Sequence, residues 1–362
     1  MKNNLLITLI APFYISICLV SCKSVTNKSS VVDNKTPSSS DIDPNKAKDY
    51  SIVEQSNIDL ETEIVATKPW KITFVTKAPH YEKLSEHDYW PVAWQGIEKA
   101  GKDFGVNVEL AYIPEPCDYE FQCIEAQIKL ISEYLNSKTT DAMIIAPIDA
   151  NRLVTVTEKI IDQGIPIIAF DAAINTNKIL SLVTFHNFQA GKLMGEWLVE
   201  KLDNNSNVFI LEGVTNQSSS ISRRNGFLAG LQQGNINVID TQSALWNTDM
   251  AEKITTQWLE EFSDIDAIIC ANDLMALGAL RAIKKAKRND IIITGYDAIN
   301  QVVQAIAKGD IAATIDQSPD LQARIAVQMM VRHLETGESL PPIIFMPEIK
   351  LVSEENVQRP LQ

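Results

Sequence analysis

Residues 268–283 read IICANDLMALGALRAI, and this stretch carries the clearest structural signal in the chain. An apolar run at 267–271 stops abruptly at Asn272 and Asp273, and a helical pattern over 275–286 follows. A short β-branched run that ends at a turn signal and leads into a helix is typical of a buried parallel strand. Because Asn and Asp favour helix N-termini, the stretch is interpreted as strand, cap and helix.

The same unit recurs along most of the chain. From Trp70 onward, apolar runs alternate with segments whose apolar residues repeat at helical spacing. Regular alternation of this kind specifies a parallel sheet covered by helices on both faces. Two similar series follow one another, which predicts an α/β fold of two doubly wound parallel-sheet domains with a cleft between them. The predicted strands are 71–76, 105–112, 142–146, 164–171, 180–184, 208–211, 237–242, 267–271, 291–296 and 312–315.

Four of these strands end on hydrogen-bonding side chains. The four are Asp171, Asn272, Asp297 and Gln317. In open α/β sheets, ligands bind outside the carboxyl ends of the strands. The sequence therefore predicts a small-molecule cleft lined by these residues.

Further side chains complete a candidate ligand set. Arg223 offers a planar fork of donors, and Tyr89, Trp90 and Trp246 are suited to stack on the C–H face of a sugar ring. Carboxylates, amides, one arginine and aromatic rings together match a neutral polyol better than an acid or a peptide. The full set is Tyr89, Trp90, Asp171, Arg223, Trp246, Asn272, Asp297 and Gln317.

Each assignment has a structural alternative. Asp171 is also explained as a helix cap, Arg223 as part of a solvated helix face and Trp246 as a residue that packs the domains together. What favours the ligand interpretation is that several such residues fall at one sheet edge.

Composition and motifs exclude other classes of function. The chain has 362 residues, 45% of them hydrophobic, and a formal net charge of -14, which opposes binding to nucleic acid. It contains no GxGxxG after a strand, no P-loop, no GxSxG and no HExxH, so we expect a binding protein and not an enzyme. None of the four histidines forms a ligand-spaced pair with a cysteine, and neither a metal nor an organic cofactor is expected.

The N-terminus predicts export. Residues 1–22 contain a mostly apolar run at 5–20, short for a bilayer span, that ends in Leu-Val-Ser-Cys at 19–22. This ending resembles a bacterial lipobox, which makes Cys22 the lipidated residue; a plain signal peptide is the alternative. Residues 23–68 are mostly polar, rich in Ser, Asn, Lys and Asp, and are predicted to form a flexible tether.

Two further cysteines invite a redox prediction. Cys117 and Cys123 flank a short segment after a Pro-Glu-Pro turn signal. In an oxidising compartment they are expected either to form a local disulfide or to remain two free thiols, because spacing alone does not fix the geometry.

Three segments together resemble a known family. The stretch at 268–283, ITGYDAINQVVQAI at 293–306 and AATIDQSPD at 312–320 are similar to the ribose/galactose class of periplasmic binding proteins, which have the type I solute-binding fold. The resemblance runs from about residue 70 to 352. It implies three crossovers acting as a hinge, near residues 186–187, 317 and 346–347. It also implies one lobe from 69–184 plus 318–346 and a second from 185–317 plus 347–362.

The family's ligand contacts match the same eight candidate residues, with the aromatic pair placed before the first helix. Two positions depart from ribose binders, which usually carry Asn where Ala146 stands and Arg where Ala172 stands. Another pentose, a hexose, an inositol or a modified sugar therefore fits as well as ribose.

The resemblance implies a specific function. The chain is expected to be a monomeric, lipid-anchored binding protein in the periplasm or on the cell surface that captures a sugar or polyol and presents it to an ABC permease. A ligand sensor that docks on a sensor kinase or chemoreceptor is the main alternative, and an enzyme acting on sugars is a weaker one.

Overall fold

The computed structural model describes residues 58–78, 81–85, 88–113, 120–137, 139–215 and 217–357. The predicted signal segment with Cys22, most of the predicted tether and Cys117 lie outside these residues. Cys123 is disulfide-bonded, but pairing with Cys117 stays a prediction. In the described part, no helix is both long and apolar enough to span a membrane.

Two six-stranded sheets form the framework. In spatial order they are β11-β5-β4-β3-β1-β2 and β12-β10-β9-β8-β6-β7, and every pairing is parallel except β10 with β12. The strands are β1 (Lys71–Val75), β2 (Asn107–Ala111), β3 (Ala142–Ile145), β4 (Ile167–Phe170), β5 (Ser181–Thr184), β6 (Asn207–Glu212), β7 (Asn237–Ser243), β8 (Ala267–Cys270), β9 (Ile292–Thr294), β10 (Ala313–Asp316), β11 (Ile343–Phe345) and β12 (Lys350–Ser353).

Helices alternate with the strands and cover both sheets. They are α1 (Tyr89–Phe104), α2 (Glu120–Ser137), α3 (Val154–Ile161), α4 (Asn187–Val199), α5 (Ser218–Leu231), α6 (Thr248–Glu261), α7 (Asp273–Lys285), α8 (Asn300–Ala307) and α9 (Pro319–Thr336), with a short 3-10 turn at Tyr81–Lys83. The predicted α/β class with two doubly wound sheets is confirmed. We call the β1–β5 and β11 sheet with α1–α3 and α9 the first lobe, and the other sheet with α4–α8 the second lobe.

The chain passes between the two sheets three times: after β5 into α4, after β10 into α9, and between β11 and β12. The ten predicted strands are all present, whereas the sequence prediction omits β11 and β12. The two strands are only three and four residues long. β12 is an edge strand that begins with a lysine, and its sequence shows little periodicity.

Local sequence explains the helix that faces the cleft. Ala93, Ile97, Ala100 and Phe104 recur along one face of α1 and are fully buried, as their spacing predicts. The helix ends at Gly105, whose φ of 73° is the left-handed conformation that glycine adopts at little cost. The helix starts at Tyr89, so the aromatic pair lies in its first turn, whereas the family resemblance placed the pair before the helix.

Close packing of α4 and α5 brings functional residues of both helices together. A Cβ on Gly191 would lie 2.5 Å from the Arg223 carbonyl oxygen, and one on Gly226 would lie 2.3 Å from the Phe188 carbonyl oxygen. Only glycine permits this approach of backbone to backbone. The contact sets Arg223 of α5 beside the start of α4.

Residues 58–68 differ from the prediction of a flexible tether that extends to residue 68. This segment, which we call the strap, is held on α9 of the first lobe. Arg332 donates to the carbonyl oxygens of Asp59 at 2.7 Å and Thr62 at 2.6 Å, and Gln328 donates to those of Leu60 at 3.0 Å and Thr62 at 3.1 Å. The strap has no periodic pattern of its own, which is why its order is invisible in the sequence: its partners lie more than 260 residues away.

Candidate functional site

The predicted strand-end residues lie at the carboxyl ends of their sheets. Asp171 directly follows β4, Asn272 lies between β8 and α7, and Asp297 lies two residues beyond Gly295, which follows β9. Gln317 follows β10 at the second crossover. Both sheets therefore present polar side chains at the edge where type I folds bind ligands.

One phenol marks the point where the two lobes meet. Burial raises the pKa of the Tyr89 hydroxyl, and the charges of Asp171 and Asp297 add to this effect while Arg223 opposes it. Asp171 belongs to the first lobe, whereas Asp297 and Arg223 belong to the second. These predicted residues are thus gathered around one place and do not face unrelated surfaces.

Asp171 is the centre of the first-lobe half. Its Oδ2 accepts from Lys77 Nζ at 2.7 Å and its Oδ1 from the Tyr89 hydroxyl at 3.2 Å. The side chains of Lys77 and Asp171 are 15% and 7% exposed, so this is a largely buried ion pair. No helix starts at Asp171, which removes the alternative of a helix cap.

The aromatic pair forms a wall next to that ion pair. The rings of Tyr89 and Trp90 meet edge to face with centroids 4.9 Å apart, and Trp90 meets Phe170 at 6.3 Å. Lys77 Nζ lies 5.6 Å from the centre of the Trp90 ring. The position of Trp90 is therefore set by packing and not only by its place on α1.

Arg223 is the centre of the second-lobe half. It is 4% exposed, its Nε donates to Asn187 Oδ1 at 2.8 Å, and its guanidinium donates to the Ala271 carbonyl oxygen at 2.7 Å. It also lies 3.7 Å from Asp297 Oδ1 and 3.7 Å from the centre of the Tyr296 ring. The alternative of a solvated helix face is wrong for Arg223.

Asp297 and Gln317 form the second charged corner. Gln317 Nε2 donates to Asp297 Oδ1, and burial raises the pKa of Asp297 to about 8 even though Arg223 opposes the shift. Gln317 is 1% exposed, and its Oε1 has no hydrogen-bond partner among the described residues. A buried acceptor without a donor costs free energy, and a ligand hydroxyl is a suitable donor for it.

Asn272 and Asp273 support the site from below. Asn272 Oδ1 accepts from the Met275 amide at 2.9 Å, so it caps α7 as its sequence context predicts, and this oxygen is already engaged. Asp273 is fully buried and accepts from Thr314 and from the Ile299 amide. Burial raises the pKa of Asp273 to about 7.

Trp246 is held in an unusual conformation. Its φ is 61°, which is uncommon for a bulky side chain, and its indole donates to Gln217 Oε1 at 2.8 Å. The ring lies against Gly213, where a Cβ would come within 2.0 Å of it. The centre of the ring is 5.4 Å from the Arg223 guanidinium.

Backbone strain concentrates at this edge of the two sheets. Asp171, Trp246 and Asp297 have φ values of 64°, 61° and 122°, in the region that favours glycine. Such conformations cost free energy and persist where the surrounding structure holds them, most often at functional sites. Three of the eight predicted ligand residues share this property.

Four further residues contact the candidate residues and are absent from the predicted set. They are Lys77, Asn187, Tyr296 and Gln322. Lys77 follows β1 and obeys the same strand-end rule, and Tyr296 sits directly before Asp297, so both have a signal in the sequence. Asn187 lies at a crossover, and Gln322 lies on a helix where it donates to the Val183 carbonyl oxygen at 3.0 Å; neither has such a signal.

This arrangement offers hydrogen-bond donors and acceptors in fixed positions. Two carboxylates, one lysine and one arginine are fixed by neighbours, and aromatic rings flank them from both lobes. In the described part of the chain, no three His, Cys, Asp or Glu residues are grouped so that they would hold a metal ion.

A family model described as a periplasmic binding protein domain matches residues 83–339. The chain is 30% identical to the D-ribose/D-allose-binding protein of Pseudomonas aeruginosa over 216 residues, which cover 58% of this chain and 67% of that one. It is 27% identical to the D-allose-binding periplasmic protein of Escherichia coli over 280 residues, which cover 75% of this chain and 88% of that one.

Solved structures share the fold. A solute-binding protein of an ABC transporter from Actinobacillus succinogenes, determined with bound D-allose, aligns with a TM-score of 0.71 at 27% identity, covering 80% of this chain and 99% of that one. The fructose-binding periplasmic domain of a hybrid two-component system aligns with a TM-score of 0.70 at 22% identity, covering 80% of this chain and 92% of that one.

Proposed function

The chain belongs to the periplasmic binding protein domain family, and from this membership we propose that it captures a sugar or related polyol between its lobes and presents it to an ABC permease. Like its relatives, it is a sugar-binding protein of the ribose class and not an enzyme. We further propose that all eight predicted residues contact the ligand and that Lys77 contacts it too.

The observation that carries the proposal is a series of contacts that joins Asp171 to Asp297: one cavity is lined by Asp171 and Asn187, Asn187 accepts from Arg223, and Arg223 lies 3.7 Å from Asp297. These carboxylates come from different lobes and lie more than 120 positions apart in the chain. A ligand held by both is enclosed only when the lobes approach each other. This is the arrangement that makes a binding protein respond to its ligand by closing.

The chemistry of the site favours a neutral polyhydroxylated ligand. Asp171 and Asp297 accept from hydroxyls, Lys77 and Arg223 donate to them, and Gln317 Oε1 has acceptor capacity to offer. Trp90 and Trp246 supply apolar faces from opposite lobes. Because Lys77 is already paired with Asp171 and Arg223 already lies beside Asp297, a charged ligand would have to break one of these buried contacts, which favours a neutral ligand.

Opening of the lobes is required for entry in this proposal. A cavity of about 20 Å³ beside Asp171, lined also by Thr184, Asn187 and Phe345, has room for roughly one water molecule. The three crossovers between the sheets act as the hinge. A ligand that contacts both lobes binds the closed form better and shifts the population toward it, and the closed form is what a permease recognises.

The proposed anchor is a lipid on Cys22, which would hold the protein at a bacterial membrane. The lipobox-like ending of the signal segment supports this assignment. Mass spectrometry of the mature protein tests it: a first residue of Cys22 carrying acyl chains is expected, and an unmodified start elsewhere would contradict it.

A thermal-shift screen of the full-length chain tests the ligand class. D-Ribose, D-allose, other sugars, inositols and amino acids are compared, and a ligand at 100-fold above its Kd adds about 2.7 kcal/mol, roughly 5 °C in Tm. Asp297→Asn should abolish the shift, whereas Asp249→Asn at an 88% exposed position should keep it. A response only to amino acids would overturn the sugar assignment.

A sensory role remains the second candidate, because the fold is shared with a periplasmic domain of a two-component system at 22% identity. Likeness at that level concerns the fold alone. Loss of sugar uptake in a strain without the gene would support transport, and intact uptake with a lost transcriptional response would support sensing.

A further inference from the structure

The side chain of Gln217 connects the two lobes directly. Its Nε2 donates to the Ile148 carbonyl oxygen at 3.1 Å, and its Oε1 accepts from Trp246 Nε1 at 2.8 Å. Ile148 follows β3 in the first lobe, whereas Gln217 and Trp246 belong to the second. The amide is thus placed between the Trp246 indole of the second lobe and the Ile148 backbone of the first.

The side chain of Gln217 serves this connection and not its own helix. Gln217 is the N-cap residue of α5, but glutamine is not one of the short polar residues that cap helices, and its side chain makes no cap bond. Both hydrogen bonds of its amide are made away from the helix, one in each lobe.

Both ends of the bridge are fixed by other contacts. Buried Gln127 accepts from the Ile148 amide at 2.9 Å and donates to the Ala146 carbonyl oxygen at 2.8 Å, which holds the first-lobe end in place. At the other end, the Trp246 ring lies so close to Gly213 that a Cβ at this position would overlap it. Rigid ends make the bridge sensitive to the separation of the lobes.

We propose that Gln217 is a positioning residue that couples closure of the lobes to the orientation of Trp246 over the cleft. When the lobes separate, the Ile148 carbonyl oxygen moves away and the amide loses one of its two partners. When they close, the amide is held at both ends and fixes the indole. This inference rests on the proposed function, because it assigns the bridge a part in enclosing a sugar.

An amide is the side-chain group that this geometry requires. It donates to Ile148 with its nitrogen and accepts from Trp246 with its oxygen. Gln217→Glu keeps the acceptor for Trp246 and places a carboxylate oxygen against the Ile148 carbonyl oxygen. Gln217→Met keeps the size and removes both bonds. Gln232→Glu, at the exposed C-terminal end of the same helix, is the matched control for the added charge.

Small-angle X-ray scattering of the full-length chain measures the separation of the lobes. It is recorded without ligand and with saturating D-allose. In the condition, ligand-free or saturated, in which the unmodified protein has its smaller radius of gyration, we expect both Gln217 variants to have a larger one. Gln232→Glu should match the unmodified protein in both conditions. The affinity for D-allose should fall about three- to tenfold in both variants.

The Tm without ligand separates closure from folding. An acidic residue near a helix N-terminus is favourable, so Gln217→Glu should not lower the Tm although it opens the lobes. Identical scattering of Gln217→Glu and the unmodified protein in both conditions would overturn the inference. If D-allose fails to bind the unmodified protein, D-allose is not its ligand, and the ligand-free scattering still decides whether Gln217 holds the lobes together.

Discussion

The two halves of the cleft hold their charges in different ways. In the second lobe, Arg223 is bound by a backbone carbonyl, an amide and a carboxylate, all from its own lobe and nearly all buried. In the first lobe, Asp171 relies on the long side chain of Lys77 and on one phenol. The second-lobe half is a fixed network, and the first-lobe half is a pair of side chains with few other contacts.

This difference indicates a division of labour. A network whose charged groups are held by partners in their own lobe presents its donors in one orientation, which lowers the entropy lost on binding. A lysine and a carboxylate that hold each other are able to exchange that contact for ligand hydroxyls. The comparison therefore predicts that substitutions in the second-lobe half damage the fold, whereas those in the first-lobe half mainly change binding.

Arg223→Ala is the strongest test of the fixed half. Its loss leaves the Asn187 side-chain oxygen and the Ala271 carbonyl oxygen without their charged donor, which should cost about 3–5 kcal/mol of unfolding free energy. Urea unfolding at neutral pH measures this, with Arg281→Ala at a 56% exposed position as the control. A loss no larger than that of the control would mean that the network is not a fixed unit.

The pH dependence of stability tests the same half. Folding raises the pKa of Asp297 from 3.8 to about 8, so the folded protein binds more protons in this interval and loses stability as pH rises through it. Asp297→Asn removes this contribution and should flatten the decline between pH 5 and pH 8 by on the order of 2 kcal/mol. Asp249→Asn should leave the decline unchanged; an equally steep decline in Asp297→Asn would refute the assignment.

Lys77→Met probes the first-lobe half. The variant keeps the aliphatic stem near Trp90 and removes the charge, so that Tyr89 is the one side-chain partner left to Asp171 among the described residues. We expect a loss of about 1.5 kcal/mol in unfolding free energy and a larger relative effect on sugar affinity. Lys284→Met, 55% exposed on α7, controls for the lost charge. A loss that equals that of Arg223→Ala would erase the contrast between the halves.

Trp90→Leu should give the smallest effect. Loss of the aromatic face is expected to weaken sugar binding roughly fivefold, with little change in the ligand-free fold. Calorimetric titration measures the affinity. Trp94→Leu on the same helix removes a ring that stacks on Phe74 in the core, and it should lower stability without changing affinity. The reverse pattern would exchange the roles of the two tryptophans.

Much of the site is predictable because parallel strands bring their carboxyl ends to one edge. This rule places Asp171, Asn272, Asp297 and Gln317 together from their positions after apolar runs alone. The rule also applies to Lys77, which directly follows the predicted strand 71–76 but is missing from the predicted set. The local pattern therefore identifies the edge but not every side chain on it.

The remaining features depend on contacts between distant segments. Gln322 reaches the site from the first turn of a helix, and Gln217 reaches it from the position directly before a helix. The positive φ values of Asp171 and Trp246 are maintained by the residues that surround each of them in the folded lobe. None of these follows from periodicity, because each is set by where a residue lies after both lobes have folded.

The strap has a practical consequence for work on this protein. A recombinant fragment that begins at residue 69 would strip Gln328 and Arg332 of the backbone oxygens that they bind, on the helix whose first turn carries Gln322 toward Tyr89. Affinities measured on such a fragment would then describe a protein in which α9, and with it Gln322, is less firmly held. A cut made before Ile58 keeps these oxygens in place.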